Sequence, residues 1–192
     1  LSYGEAASKL SGVKNISIEK ENLFFEIFPY FLEHLKYLVI TIFLCVFIGI
    51  PIGGFAAKSK TFERVSMTLI SVFQTIPSLA LLVFLIPLFG LGELTTIIAL
   101  TLYGLLPVAK STHSAISNIP KELSEFSDLI RMSKVQKFLL VEIPLAAPEI
   151  LTGIKITSIA TIGVTVIAAF VGAGGLGTLF VTGLSLNSIA II

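Results

Sequence analysis

His113 has Ser111 and Ser114 as close neighbours, and a base beside a hydroxyl is the raw material of nucleophilic catalysis. No carboxylate or nucleophile-elbow pattern accompanies it in the sequence, so a solvated histidine in a polar connection is the plainer reading. GAGGLG, Gly172 to Gly177, fits the GxGxxG spacing of a dinucleotide phosphate site. It follows an apolar run with no βαβ context, so Gly172, Gly174, Gly175 and Gly177 are read as a structural turn at a helix boundary. Cys45 stands alone in an apolar run and reads as a small buried hydrophobe. A GxxxxGK[ST] phosphate loop is absent, and so is any Gly-Lys pair; ATP used by this protein must be bound by another polypeptide. No catalytic residue, bound cofactor or metal site is assigned to the chain.

The other residues with chemical potential are polar groups in oily surroundings. The stretch from Ile119 to Pro144 carries Glu122, Glu125, Asp128 and Arg131, with Leu123, Phe126, Leu129 and Ile130 at helical spacing. Pro120 suits a first turn and the early acids suit the helix dipole. The pattern predicts a short amphipathic helix over 120–131, acids on one side and apolar residues on the other. Gln74, Thr75 and Ser78 surround Pro77, which removes a backbone hydrogen bond; they either restore that bond or line a path. The segment from Thr152 to Ala169, with Thr157, Thr161 and Thr165, is rich in small residues that let helices approach closely, as suits a subunit interface or a moving gate. Gly49 to Gly53 matches GxxxG, weak evidence for any one contact.

These groups must be positioned by membrane helices. The chain has 192 residues, 55% hydrophobic and 13% charged, against roughly 25% charged in an ordinary soluble domain. A net charge of +1 offers no argument for a nucleic-acid partner. Tyr37 to Ala57 is uncharged over 21 residues, or about 30 Å of helix, enough to cross a bilayer. Val65 to Phe89, with Pro77 in its middle, is a second span; Glu93 to Ala109 a third; Ile150 to Val171 a fourth; a fifth begins at Leu179. Lys58, Lys60 and Arg64 follow the first span, and Lys110, Lys121, Arg131, Lys134 and Lys137 follow the third. The positive-inside rule makes both connections cytoplasmic and places residues 1–35 outside or at the membrane surface. Lys155 is the one charge in the interior of an expected span; it snorkels to the interface, lines a pore or pairs with Glu149. With LNSIAII too short to cross, a final helix and a fused domain are expected beyond residue 192.

Taken together, FQTIPSLALLVFLIPLFGLG (Phe73 to Gly92), VGAGGLGTLF (Val171 to Phe180), EHLKYL, GIPIGG and the polar island resemble the permeases of osmoprotectant-type importers, the binding-protein-dependent ATP-binding cassette systems for glycine betaine, carnitine and choline. The resemblance covers roughly residues 30–192. It implies an all-α polytopic membrane protein of the type I ABC importer permease (MetI-like) class, with a transmembrane domain over 36–192 and a cytoplasmic coupling loop at about 110–142. It also implies two copies of the permease and cytoplasmic ATPase subunits holding ATP and Mg. A substrate-binding protein or fused domain and the surrounding membrane lipid complete the set of partners. The family's loop runs Glu-Ala-Ala, three residues, Gly, which places Glu125 at the acidic position and Glu122, Glu125, Asp128 and Arg131 in ATPase coupling; Phe126 and Ser127 replace the alanines and Arg131 replaces the glycine. Gln74, Thr75, Pro77, Ser78, Thr157, Thr161 and Thr165 are the candidates for a translocation path between copies. The alternatives are an importer for another small solute, such as ergothioneine or an amino acid, and an ion-coupled carrier. Against the carrier stands the lack of carboxylates in the cores of the expected spans.

Overall fold

The computed structural model describes residues 23–185, whose regular structure is entirely helical. Helix α1, Leu23–Lys58, runs 36 residues, about 54 Å at the α-helical rise and well beyond a ~30 Å hydrocarbon core. The expected span Tyr37 to Ala57 is thus the inner part of a longer helix, and the expected boundary at residue 35 falls inside it. Physically, no glycine or cluster of turn residues separates Leu23 from Tyr37, and Glu26, Glu33, Leu35 and Lys36 are good helix formers.

Ser59 caps α2, Lys60–Thr75, its hydroxyl accepting from the Phe62 N–H at 3.4 Å. A second helix, α3, covers Ser78–Phe89. The two meet at an angle of 105°, so the second span is broken where a single helix was expected. Proline drives its predecessor into the extended region, and Ile76 duly has ψ 130°. At 16 and 12 residues the halves are about 24 and 18 Å long, and neither crosses a bilayer alone.

Helix α4, Glu93–Ser117, is the central post, buried along its length and packed most extensively on α1 and on α7 (Ile143–Val164). It continues past the expected end at Ala109 because nothing breaks the helix before Asn118 and Pro120. Glycines line its contacts: Gly49 and Gly53 of α1 face Val108 and Ala109, Gly104 faces Cys45 and Thr157, and Gly153 of α7 faces Ser111. Side-chain-free positions bring these backbones together.

The polar island folds as α5, Lys121–Leu129, then α6, Lys134–Lys137, opened by a reciprocal capping box between Ser133 and Gln136. A π-helical segment, Phe138–Glu142, joins α6 to α7, and a 3₁₀ segment, Thr165–Val171, follows. The whole run of 38 residues from Lys134 to Val171 is apolar and long enough to span, beginning well before the expected Ile150. Helix α8, Leu176–Ser185, follows the glycine turn and starts before the expected Leu179. LNSIAII and the amino-terminal lysines Lys9, Lys14 and Lys20 lie outside the described residues. Large apolar side chains, among them Phe43, Phe47, Phe84 and Ile159, cover the outer surface, as a lipid-facing surface requires.

Candidate functional site

The amphipathic helix expected over 120–131 is present as α5. Ser127, in place of an alanine of the family loop, is 2% exposed and donates to the Leu123 carbonyl at 2.9 Å. The helix ends in a Schellman arrangement: the Arg131 N–H donates to Asp128 O at 3.0 Å and the Met132 N–H to Ser127 O at 3.1 Å. Such an ending needs a left-handed residue at the position Arg131 holds, and Arg131 has φ 56°. Glycine takes this conformation freely, whereas an L side chain adds about 1–2 kcal/mol of strain.

Charges around the loop divide into spent and free. Asp128 accepts from Lys137 Nζ at 2.8 Å, tying α5 to α6. Glu142 is buried, and its Oε2 lies 2.7 Å from Lys58 Nζ at the end of α1, close enough for an ion pair though not aligned as a hydrogen bond. Lys58 also lies over the Phe138 ring, 5.3 Å from its centre. Between these pairs is a cavity of about 580 Å³, lined among others by Pro51, Phe55, Met132 and Leu139. Glu122, Glu125 and Arg131 are exposed and enter no ion pair among the described residues.

At the broken span, the Gln74 amide donates to the Tyr103 carbonyl at 2.7 Å, and the Tyr103 hydroxyl donates to the Ile76 carbonyl at 2.5 Å. This reciprocal clamp on α4 satisfies a backbone acceptor freed by the break before Pro77. Thr75 donates locally to Val72 O, and Ser78 opens α3. Thr157, Thr161 and Thr165 are buried within one copy; Thr157 donates to Gly104 O at 2.8 Å, and Thr161 and Thr165 to carbonyls one turn back. The side of α7 that points outward is mostly apolar, with Ile156, Ile159 and Ile162 exposed beside Thr152 and Lys155. Lys155 is exposed and forms no ion pair with Glu149 among the described residues.

The glycine turn packs on α1. Gly172, with φ 72°, caps the 3₁₀ segment in a second Schellman arrangement. Gly174 and Gly175 also have positive φ, and the Gly175 N–H donates to Glu33 at 2.9 Å while Tyr37 donates to the Ala173 carbonyl at 2.5 Å. Gly177 is buried against Val166. Tertiary structure gives His113 the carboxylate that its sequence neighbourhood lacks: its Nε2 is 3.3 Å from Glu63 of α2. The pair links α4 to α2. The sequence reading missed Tyr103, Glu63, Glu33 and Glu142, whose partners lie 27 or more residues away.

A family described as the binding-protein-dependent transport system inner membrane component matches residues 49–191. The choline transport system permease protein OpuBB of Bacillus subtilis (strain 168) is 38% identical over 154 residues, 80% of this chain and 71% of the relative. The osmoprotectant import permease protein OsmW of Salmonella typhimurium is 37% identical over 165 residues, 83% and 77% of the two. Among solved structures, a chain of the inward-facing MetNI methionine ABC transporter superposes with a TM-score of 0.75 at 26% identity, covering 85% of this chain and 82% of that one. A chain of an amino acid ABC transporter shares the fold, with a TM-score of 0.66, 19% identity and coverage of 89% and 83%. The overall fold thus recurs in a permease-containing transporter, and this chain, a multi-pass protein of the cytoplasmic membrane, belongs to the family of inner membrane components of binding-protein-dependent transport systems.

Proposed function

We propose that this chain is the translocation subunit of an ATP-driven importer of betaine-type quaternary ammonium solutes, acting as two copies served by separate ATPase subunits that bind ATP and Mg. The carrying observation is α5: a helix capped at its C-terminal end and tied to α6 by the Asp128–Lys137 pair, presenting Glu122 and Glu125 with no ion-pair partner among the described residues. Lys58, Lys60 and Arg64 at the end of α1 and start of α2, with Lys110, Lys121 and Lys134 near α5, favour a cytoplasmic position for this end. The solute class rests on the choline and osmoprotectant relatives. Quaternary ammonium groups are commonly held by aromatic cages. The chain has no Trp, the best ring for such a cage, which favours solute selection by an extracytoplasmic binding protein or fused domain. The path between copies runs past the break at Gln74 to Ser78, with Thr157, Thr161 and Thr165 packed behind its wall.

Glu125→Ala tests the coupling role. Truncating one partner of a docked charge pair costs about 2–5 kcal/mol, so ATPase association should fall or hydrolysis should uncouple from uptake, with the permease still folded. Glu122 is the charge control; Asp128 is unsuitable because Lys137 already neutralises it. Intact association and coupling in Glu125→Ala would remove this residue from the interface. A cysteine replacing Lys121 should be labelled from the cytoplasmic face alone, and labelling from outside would overturn the topology.

A further inference from the structure

We infer that Arg131 engages a carboxylate on the ATPase subunit and selects the cognate ATPase, a proposal that rests on the reading of α5 as the docking helix. Three observations converge on it. The position is left-handed, φ 56°, and ends the helix through the Arg131 and Met132 N–H bonds, so glycine would serve the fold with less strain. The guanidinium is exposed and has no partner among the described residues, so no contact of the described fold requires it. The nearest acid in sequence, Asp128, is already held by Lys137 at 2.8 Å. A strained side chain that does nothing for its own fold points to a role outside it.

The chemistry of that role follows from the residue. Arginine presents a planar fork of donors that matches a carboxylate through two parallel bonds, which a lysine cannot reproduce. A membrane surface attracts any cation and would not favour arginine over lysine at a strained position. Leu129 and Ile130, immediately before Arg131, are 79% and 55% exposed, leaving an apolar contact beside the charge, as a protein interface centre has. Glu125 lies six residues earlier, roughly 9 Å along the helix. The ATPase face is therefore dipolar, with a basic group opposite Glu125 and an acidic group opposite Arg131, and this fixes the direction in which α5 docks.

The test is the affinity of the purified full-length permease in detergent for its ATPase subunit, with wild type, Glu125→Ala, Arg131→Gly and Arg131→Lys measured together with their melting temperatures. Arg131→Gly should bind at least tenfold more weakly while melting no lower than wild type, and Arg131→Lys should stay well below wild-type affinity. Normal binding by Arg131→Gly while Glu125→Ala is weakened would overturn the inference and leave the docking reading standing. Failure of wild type itself to bind the ATPase would overturn the docking reading and this inference with it. Normal ATPase binding by Arg131→Gly with reduced capture by vesicles containing anionic lipid would reassign Arg131 to the membrane and also overturn the proposal.

Discussion

Gly53→Ala probes the contact on which the bundle is built. A methyl group on Gly53 would lie 2.6 Å from Thr112 Cβ and 2.9 Å from the His113 backbone nitrogen. Ordinary contacts lie at about 3.5–4.0 Å, so α1 and α4 must part by roughly 1 Å, and a gap of that size forfeits a quarter to a half of each dispersion well. Neither obstacle is the end of a flexible chain. Overpacking of this kind costs about 1–3 kcal/mol, and removing a helical glycine returns about 0.5–1 kcal/mol, which leaves a net loss of about 0–2.5 kcal/mol, about 1 kcal/mol at mid-range. Gly163 of α7 meets nothing within 4 Å of an added Cβ, so Gly163→Ala makes the same chemical change without the clash. Cys45 provides the assay: it is the only cysteine of the chain, is 0% exposed and sits against Gly104 in the same seam. Its alkylation in detergent reports opening of the bundle. The mid-range loss corresponds to labelling faster by a factor of about 5–10 in Gly53→Ala, with Gly163→Ala no faster than wild type. Equal rates in all three proteins would refute the argument that backbone proximity at Gly53 holds α1 to α4.

Tyr103→Phe removes the hydroxyl that satisfies the Ile76 carbonyl at the broken span; it should lower stability by about 1–3 kcal/mol in a thermal melt, and an unchanged melt would mean that the break is satisfied by other means. Lys58→Ala leaves the buried Glu142 without its cation and should cost a similar 1–3 kcal/mol. Adding Glu142→Gln should recover much of the loss, whereas a double variant no more stable than Lys58→Ala would show that the loss came from packing on Phe138.

How far the sequence reaches depends on the range of the interaction concerned. The helix at Lys121 to Leu129 was legible because its signals, an early proline, early acids and apolar residues at helical spacing, are local. The resemblance set Arg131 at the glycine position of the family loop, but its left-handed backbone was not legible, since no propensity argument places an arginine there. Polar Gln74 was recognised as unusual at depth, but its partner Tyr103 is 29 residues away and nothing local announces the pair. Thr157, Thr161 and Thr165 show why periodicity alone misleads. A stripe of small polar residues states that a helix packs closely, not which neighbour it packs against, and here the neighbour is α4 of the same copy. His113 and Glu63, 50 positions apart in sequence, make the same point for charge. The long α1 was cut short because the hydropathy signal ends at Tyr37 while the helical signal does not.

The central claim is that ATP hydrolysis by a separate subunit drives betaine-type solutes through this chain. Proteoliposomes holding the full-length permease, its ATPase and its binding protein or domain, loaded with ATP and Mg on the ATPase side, test it directly against radiolabelled glycine betaine, choline and carnitine. The account predicts uptake of at least one of them that stops without ATP or without the ATPase and persists when ion gradients are collapsed; uptake driven by an ion gradient in the absence of ATP would contradict it.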